Sequence, residues 1–246
     1  MNITAVIPAR LDSSRLPNKL LMDICGKSLI IRTYESALKS NLFNDVIVVT
    51  NSKLIKEELN KNDVNYIFKN KEYETGTDRI ADVSDEINSE IIINIQGDEP
   101  FINSKTLKLI IDKFLEDNEK SINVVSVMSR FKSNYDVENP NNVKVITDEN
   151  QNAIYFSRSI IPFKRNDSSI NYFKHVGVYA FRKSFLTKFS SLKIGDLETA
   201  EKIEALRMVE NGVAIKMIES DEKFIGIDTL EDLEMARKMI NEKGSI

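Results

Sequence analysis

The stretch Ile7–Lys19 (IPARLDSSRLPNK) sets Arg10, Arg15 and Lys19 in a polar loop directly after a short apolar run, Ile3–Ile7. Three cations beyond a first buried strand suit a polyanion, and a nucleoside triphosphate is the best match; taken alone, a solvated basic loop explains them equally well. Gln96-Gly97-Asp98-Glu99-Pro100 follows a second apolar run. An acidic residue there can hold Mg²⁺, which takes one or two carboxylates and fills its shell with substrate phosphates. The competing use is a turn or helix-capping aspartate. Asp228 stands in the same position after Phe224–Ile227, where, with Glu231 three residues on, it also reads as a capping box. Capping and metal binding do not exclude each other, and two strand-end aspartates favour a metal more than either does alone.

Three further groups carry weaker signals. Thr75-Gly76-Thr77-Asp78-Arg79 opens a helix, where a glycine admits close backbone approach and the N-terminus favours anions. His175 is the only histidine, on a strand with Val176, Val178 and Tyr179, a setting more often structural than catalytic. Arg158 follows the strand residues Tyr155 and Phe156 and can fork onto a carboxylate or make a surface ion pair. G-x-G-x-x-G, G-x-x-x-x-G-K-[ST] and a nucleophile elbow are all absent, which disfavours dinucleotide, P-loop and serine-hydrolase chemistry. The lone cysteine, Cys25, excludes an internal disulfide and reads as a small apolar packing residue.

The elements that must position these residues follow an alternating pattern. Ile3–Ile7, Asp45–Thr50, Val64–Phe68 and Glu90–Ile95 are apolar runs. Helical patterns at 28–40, 52–60 and 78–87 separate them, and 104–115 continues the series. Runs buried on both faces and spaced by helices predict a parallel sheet with right-handed crossovers. From 122 the pattern changes. Strands are predicted at 122–129 and 174–181, with a hairpin of 143–147 and 153–156 turning at Asp148-Glu149-Asn150, so residues of about 122–182 read as an antiparallel insertion. A single helix is expected over Glu198–Asn211, stopped at Asn211-Gly212, then strands at 213–218 and 224–227 and a closing helix over 228–240. No linker or repeat divides the 246 residues, so one domain, 1–246, is expected.

Composition narrows the class. With 41% hydrophobic and 29% charged residues the chain is an ordinary globular one, and its net charge of −4 argues against nucleic acid as a partner. No run nears the roughly 20 apolar residues of a membrane helix, and the N-terminal run is too short and too interrupted for a signal peptide, so the cytoplasm is the expected location.

The motifs together resemble one family, the 3-deoxy-manno-octulosonate cytidylyltransferases (CMP-KDO synthetases). The matching pieces are IPARLDSSRLPNKLL (7–21), DICGK (23–27), TGTDR (75–79), NIQGDEP (94–100), NPNNVKV (139–145), YFSRSIIPF (155–163), KHVGVYAFR (174–182) and GIDTLEDLE (226–234). They run in family order over nearly the whole chain. The resemblance implies a Rossmann-like nucleotidyltransferase fold, α/β with a mostly parallel central sheet and flanking helices, and an antiparallel dimerisation insertion. It implies transfer of CMP from CTP to the anomeric 2-hydroxyl of KDO, for lipopolysaccharide biosynthesis, by a cytoplasmic, Mg²⁺-dependent homodimer. Carried over by motif, Ala9, Arg10, Arg15, Lys19 and Arg79 bind the nucleotide, and Asp98 and Asp228 hold the metal. Arg10, Lys19, Asp98 and Asp228 form the catalytic set. Gln96, Arg158, His175, Tyr179 and Glu204 contact the sugar acid. No residue stands out as a general base, and the metal's acidifying effect removes the need for one.

Three departures from the family pattern stand out. S-P-L-E is Gly195-Asp196-Leu197-Glu198, E-Q-L-R is Glu204-Ala205-Leu206-Arg207, and D-T-P-E-D-L-E has Leu230 for its proline. The first two leave 8-amino-8-deoxy-KDO or another 2-keto sugar acid open as the substrate.

Overall fold

A computed structural model describes residues 1–246 apart from 12, 14, 15, 167, 168, 223, 224 and 244–246. Its elements are, in order, β1 (Ile3–Ala9), α1 (Leu29–Lys39), β2 (Asp45–Thr50), α2 (Lys53–Lys61), β3 (Tyr66–Phe68), α3 (Gly76–Val83), β4 (Ile91–Asn94) and α4 (Ser104–Glu116). They continue with β5 (Val124–Arg130), α5 (Asn134–Glu138), β6 (Lys144–Thr147), β7 (Ala153–Ser157), β8 (Phe173–Arg182) and α6 (Lys183–Phe189). The last are α7 (Asp196–Glu201), α8 (Ala205–Glu210), β9 (Ile215–Glu219) and α9 (Leu230–Lys243). The chain divides into two compact units, Met1–Ser104 with Lys223–Ile246, and Lys105–Glu222.

The first unit holds the parallel sheet that the apolar runs demand, in the order β3-β2-β1-β4. Every residue of β1 and β4 is buried, which is why their sequences carry no polar alternation. Pairing sets Val6 between Ile47 and Asn94, so β1 runs down the middle and its carboxyl end lies beside those of its neighbours. The helices α2 and α3 begin at side-chain caps. Ser52 accepts from the Ile55 amide at α2, and Thr75 with Asp78 forms a reciprocal capping box at α3.

In the second unit β5 pairs antiparallel with β8 and parallel with β9, while β6 pairs antiparallel with β7 and β8. The expected hairpin is present as β6–β7, and the α/β class with a mostly parallel sheet stands. Three expectations change. The single helix over Glu198–Asn211 is two, because Lys202 takes a left-handed conformation (φ 54°) and ends α7. Of the expected apolar face Ile203, Leu206 and Val209, the first two are buried and Val209 is half-buried, although the helix is broken. Residues 225–227 are not a strand, and Phe224 lies outside the described residues. The closing helix starts at Leu230, not Asp228, because its capping box is Thr229 with Asp232: the Thr229 hydroxyl accepts from the Asp232 amide, and Asp232 Oδ2 accepts from the Thr229 amide.

A buried ion pair ties α7 to α8. Arg207 (2% exposed) donates through Nε and Nη2 to Glu198 at 2.8 and 2.7 Å and stacks 4.7 Å from the Phe189 ring. The Gly195 departure also has a local cause. The Glu210 carboxylate accepts from the amides of Leu197 and Glu198 at 2.9 and 3.1 Å, capping α7 in the manner of an N-cap side chain. A Cβ at residue 195 would collide with that carboxylate, so glycine leaves it room.

Candidate functional site

Lys19 is the centre of the first unit's charge. Only 8% exposed, it opens a 3-10 turn, Lys19–Leu21, and its ammonium donates to Asp98 Oδ2 at 2.5 Å and Asp228 Oδ1 at 3.0 Å. Burial by itself would lower the pKa of this ammonium; the charges and hydrogen bonds of Asp98 and Asp228 outweigh it and the net movement is upward.

Backbone contacts explain how three residues so far apart in sequence meet. Gly97 packs so closely that a Cβ would lie 3.2 Å from the Pro8 carbonyl and 3.3 Å from the Leu20 methyls. Glycine there lets the Lys19–Leu21 turn close onto the end of β4. Thr33 on α1 donates to the Gly97 carbonyl at 2.9 Å and fixes this loop from the other side. The Ile227 amide donates to the Asp98 carbonyl at 3.0 Å, which carries Asp228 to the same place. Thr229 and Asp232 cap α9, and Asp228 Oδ1 accepts from the Lys19 ammonium.

Two further cations belong to this unit. Ala9 is the buried last residue of β1, and Arg10 follows it exposed to solvent. Arg79 on α3 is buried (3% exposed), donates to Asn51 Oδ1 at 2.8 Å and lies 4.9 Å from the Tyr73 ring. Burial lowers its guanidinium pKa, Tyr73 and Glu72 oppose that, and the charge of Arg10 adds to it, so Arg10 and Arg79 act on a common space. Gln96 is half-buried, its amide donating to Asn94 Oδ1 at 3.4 Å. Arg15 lies outside the described residues.

The predicted sugar contacts of the second unit have their own framework. His175 is stacked edge-on to Phe156 (4.8 Å) and tilted against Tyr179 (5.3 Å), with Nε2 3.1 Å from Ser126 Oγ. Burial, with a smaller contribution from the Lys174 charge, pushes its pKa down to about 3, so the ring is neutral. Tyr179 stays protonated because burial and the nearby Glu204 carboxylate push its pKa well up. Glu204 stands at the N-cap of α8. Arg158 donates from Nε to the Glu201 carbonyl (2.8 Å) and from Nη1 to the Pro140 carbonyl (3.1 Å), and its amide meets the Glu201 carboxylate. The arginine's fork is therefore set by backbone and not by a surface ion pair.

Several contributors were missed from sequence. Asn51 directly follows β2 as Gln96–Asp98 follow β4, so its strand-end position was a usable signal. Lys144, a lone cation in the apolar stretch Val143–Ile146, was another. It is fully buried, and its ammonium donates to the carbonyls of Asn142 (2.8 Å) and Arg158 (2.5 Å). Burial lowers its pKa, the Glu201 charge opposes this and the Arg158 charge adds to it. Ser126, one serine in a buried strand, carries no such signal.

The two carboxylates around one ammonium form a pocket of negative charge that a cation already fills. That donor set suits Mg²⁺, which needs one or two carboxylates and takes its other oxygens from phosphates. Among the described residues no three His, Cys, Asp or Glu side chains gather as a protein-only cage. The arrangement provides cations for a polyphosphate and carboxylates for a hard metal, which is the equipment of phosphoryl-type transfer.

Comparison with known proteins gives the same chemistry. Residues 4–220 match the cytidylyltransferase family. A 3-deoxy-manno-octulosonate cytidylyltransferase of Flavobacterium johnsoniae is 47% identical, covering 98% of this chain and 100% of the relative. One from Fusobacterium nucleatum is 39% identical with 98% of each chain covered. A solved CMP:2-keto-3-deoxy-manno-octonic acid synthetase in complex with CTP superposes with a TM-score of 0.92 at 34% identity, covering 99% of this chain and all of the other. A 4-diphosphocytidyl-2C-methyl-D-erythritol synthase from Anaerococcus prevotii, 17% identical with a TM-score of 0.63 over 98% of both chains, has the fold in common. The fold is the nucleotidyltransferase one.

Proposed function

The chain belongs to the 3-deoxy-manno-octulosonate cytidylyltransferases, a family of nucleotidyltransferase enzymes, and we propose that it joins CTP to 3-deoxy-D-manno-octulosonate (KDO). The anomeric 2-hydroxyl oxygen of the sugar attacks the α-phosphorus of CTP. The bond from α-phosphorus to the bridging oxygen breaks, pyrophosphate leaves with the electron pair, and the hydroxyl proton passes to solvent. The product, CMP-KDO, serves lipopolysaccharide biosynthesis.

The observation that carries this reading is the Lys19 ammonium between Asp98 and Asp228. Arg10, Lys19 and Arg79 would neutralise the triphosphate and aim it, with Ala9 giving it backbone, and Arg15 is assigned to the same task by its motif. Such transfer asks a protein for positioning and charge neutralisation more than covalent help. Asp98 and Asp228 would hold Mg²⁺, with Asp98 the proposed holder of the ion that joins the two substrates. When bound, the ion lowers the repulsion between phosphate and sugar carboxylate and acidifies the attacking hydroxyl. Gln96, Arg158, His175, Tyr179 and Glu204 are the proposed sugar contacts, with the backbone-set fork of Arg158 suited to the carboxylate.

The exposed apolar side chains of Ile154 and Phe163, 52% and 85% exposed, support a homodimer through the antiparallel region, a second copy covering them. No helix among the described residues is long and apolar enough to cross a membrane. CTP is an intracellular nucleotide, which supports a cytoplasmic location. The alternative sugar, 8-amino-8-deoxy-KDO, is chemically close enough to need a direct comparison.

The test is pyrophosphate release from CTP and Mg²⁺ with KDO or 8-amino-KDO. Release with at least one sugar, abolished by EDTA and restored by Mg²⁺, is expected. Release independent of either sugar, or unchanged in Asp98→Asn, would overturn the assignment.

A further inference from the structure

Ser126 gives up its only hydroxyl hydrogen before it reaches His175. Its Oγ lies 3.0 Å from the Val178 carbonyl oxygen and 3.1 Å from His175 Nε2, all of it buried. A carbonyl accepts and cannot donate, so the hydrogen lies on the Val178 side. Towards His175 the hydroxyl is left as an acceptor. A neutral imidazole has one N–H, and here it must be on Nε2. The β-bulge in β8 makes this possible. Ser126 pairs with Tyr179 while Val127 pairs with Val176, so two extra residues of β8, Gly177 and Val178, stand opposite that step and Val178 offers its carbonyl to a side chain.

The other ring nitrogen is thereby an acceptor. Nδ1 has no protein hydrogen-bond partner among the described residues, where Ser28 Oγ is the one side-chain polar atom sealed from solvent without a partner. His175 keeps 9% of its surface exposed, so Nδ1 is within reach of water or a ligand. An imidazole lone pair in an apolar wall of Phe156 and Tyr179 gains from a donor and nothing else.

We infer that Ser126 is a positioning residue that holds His175 as the Nε2–H tautomer, so that Nδ1 accepts a hydrogen bond from a hydroxyl of the bound sugar. The assignment rests on the reading of His175 as a sugar contact. It also extends it, because it states which nitrogen meets the sugar and that the sugar is the donor.

A single histidine makes the test direct. In ¹⁵N-labelled protein, long-range ¹H–¹⁵N correlations of the one imidazole identify the protonated nitrogen, since Nε2 couples to both ring C–H protons and Nδ1 strongly to one. The expected spectrum has the N–H on Nε2 at neutral pH, and the Nδ1 signal moves when KDO binds. An N–H on Nδ1, or an imidazolium, would overturn the inference without any mutation. In Ser126→Ala, checked for an intact thermal transition, the Nε2–H signature should give way to a tautomer mixture. KM for the sugar should rise about fivefold to tenfold, the scale of one hydrogen bond, while KM for CTP changes less than twofold. Ser126→Thr, which keeps the hydroxyl, should restore the signature. An unchanged sugar KM in Ser126→Ala together with a raised one in His175→Phe removes the role of Ser126 alone. An unchanged sugar KM in His175→Phe removes the sugar contact itself, and the inference with it.

Discussion

Replacing Lys19 by Met separates the structural from the chemical task of the residue. The ammonium makes charge-assisted bonds to Asp98 and Asp228, whose side chains are 29% and 44% exposed while that of Lys19 is 10% exposed. A sheltered charge-assisted bond contributes about 1.5–3 kcal/mol, whereas the Asp228 bond, more open to solvent, contributes below about 1 kcal/mol. Met keeps most of the packing of the buried aliphatic stem, so the net destabilisation is about 2 kcal/mol, or roughly 4–8 °C in Tm for a chain of this size. Catalysis should suffer far more. Removal of one preorganised positive group from a reacting phosphate lowers kcat by about a hundredfold to a thousandfold. Because the ammonium now occupies the space between the carboxylates, Lys19→Met should also bind Mg²⁺ more tightly in the absence of nucleotide. The assays are thermal melting, pyrophosphate release at saturating CTP and KDO, and Mg²⁺ titration calorimetry. A kcat within threefold of the parent, with the Tm shift as expected, would refute the phosphate role and leave Lys19 a structural tie.

Two other predictions follow from local energetics. Since His175 titrates at about 3 folded and near 6.5 unfolded, the unfolded chain alone takes up the proton between those values. Stability from this residue is complete above about pH 6.5 and is lost as pH falls towards 3, about 2 kcal/mol of it by pH 5. Urea unfolding at pH 7 and pH 5 should show that extra loss in the parent and not in His175→Phe; equal losses would contradict the buried neutral ring. At α7, Glu210→Ala should cost about 1 kcal/mol, the worth of an N-cap, and the double variant Gly195→Ser/Glu210→Ala should recover most of it in melting experiments, because a serine hydroxyl can take over the cap.

The sequence made the parallel half legible because burial on both faces writes itself as unbroken apolar runs, as in Ile91–Asn94. It made the charged loop legible too, but not its state. Nothing local says that Lys19 is buried, because its partners lie 79 and 209 residues away. The cap of α9 was misread by one residue, since Asp228/Glu231 and Thr229/Asp232 fit the same spacing rule and only the fold chooses. Helix 198–211 kept its apolar face across a break that no composition rule predicts, for lysine is not a usual left-handed residue. The Gly195 departure, expected on the sugar side, has a local reason of its own: the Glu210 carboxylate caps α7 and needs the room.

On the proposed assignments the two units would recognise their ligands by different means. For the proposed triphosphate and metal the first unit offers formal charges, Arg10 exposed and Lys19 shared by two carboxylates, whose attraction salt would screen. For the proposed sugar acid, which Gln96 of the first unit would also contact, the second unit offers ring groups that are neutral. His175 is deprotonated by burial and Tyr179 protonated by the same cause, so one is bound to accept and the other able to donate. A neutral acceptor and a neutral donor, each fixed in its protonation state, would discriminate hydroxyl positions, leaving Arg158 and Glu204 as the charged members of the proposed sugar contacts. On these assignments sugar affinity should depend less on ionic strength than nucleotide affinity does, since the nucleotide carries the larger charge.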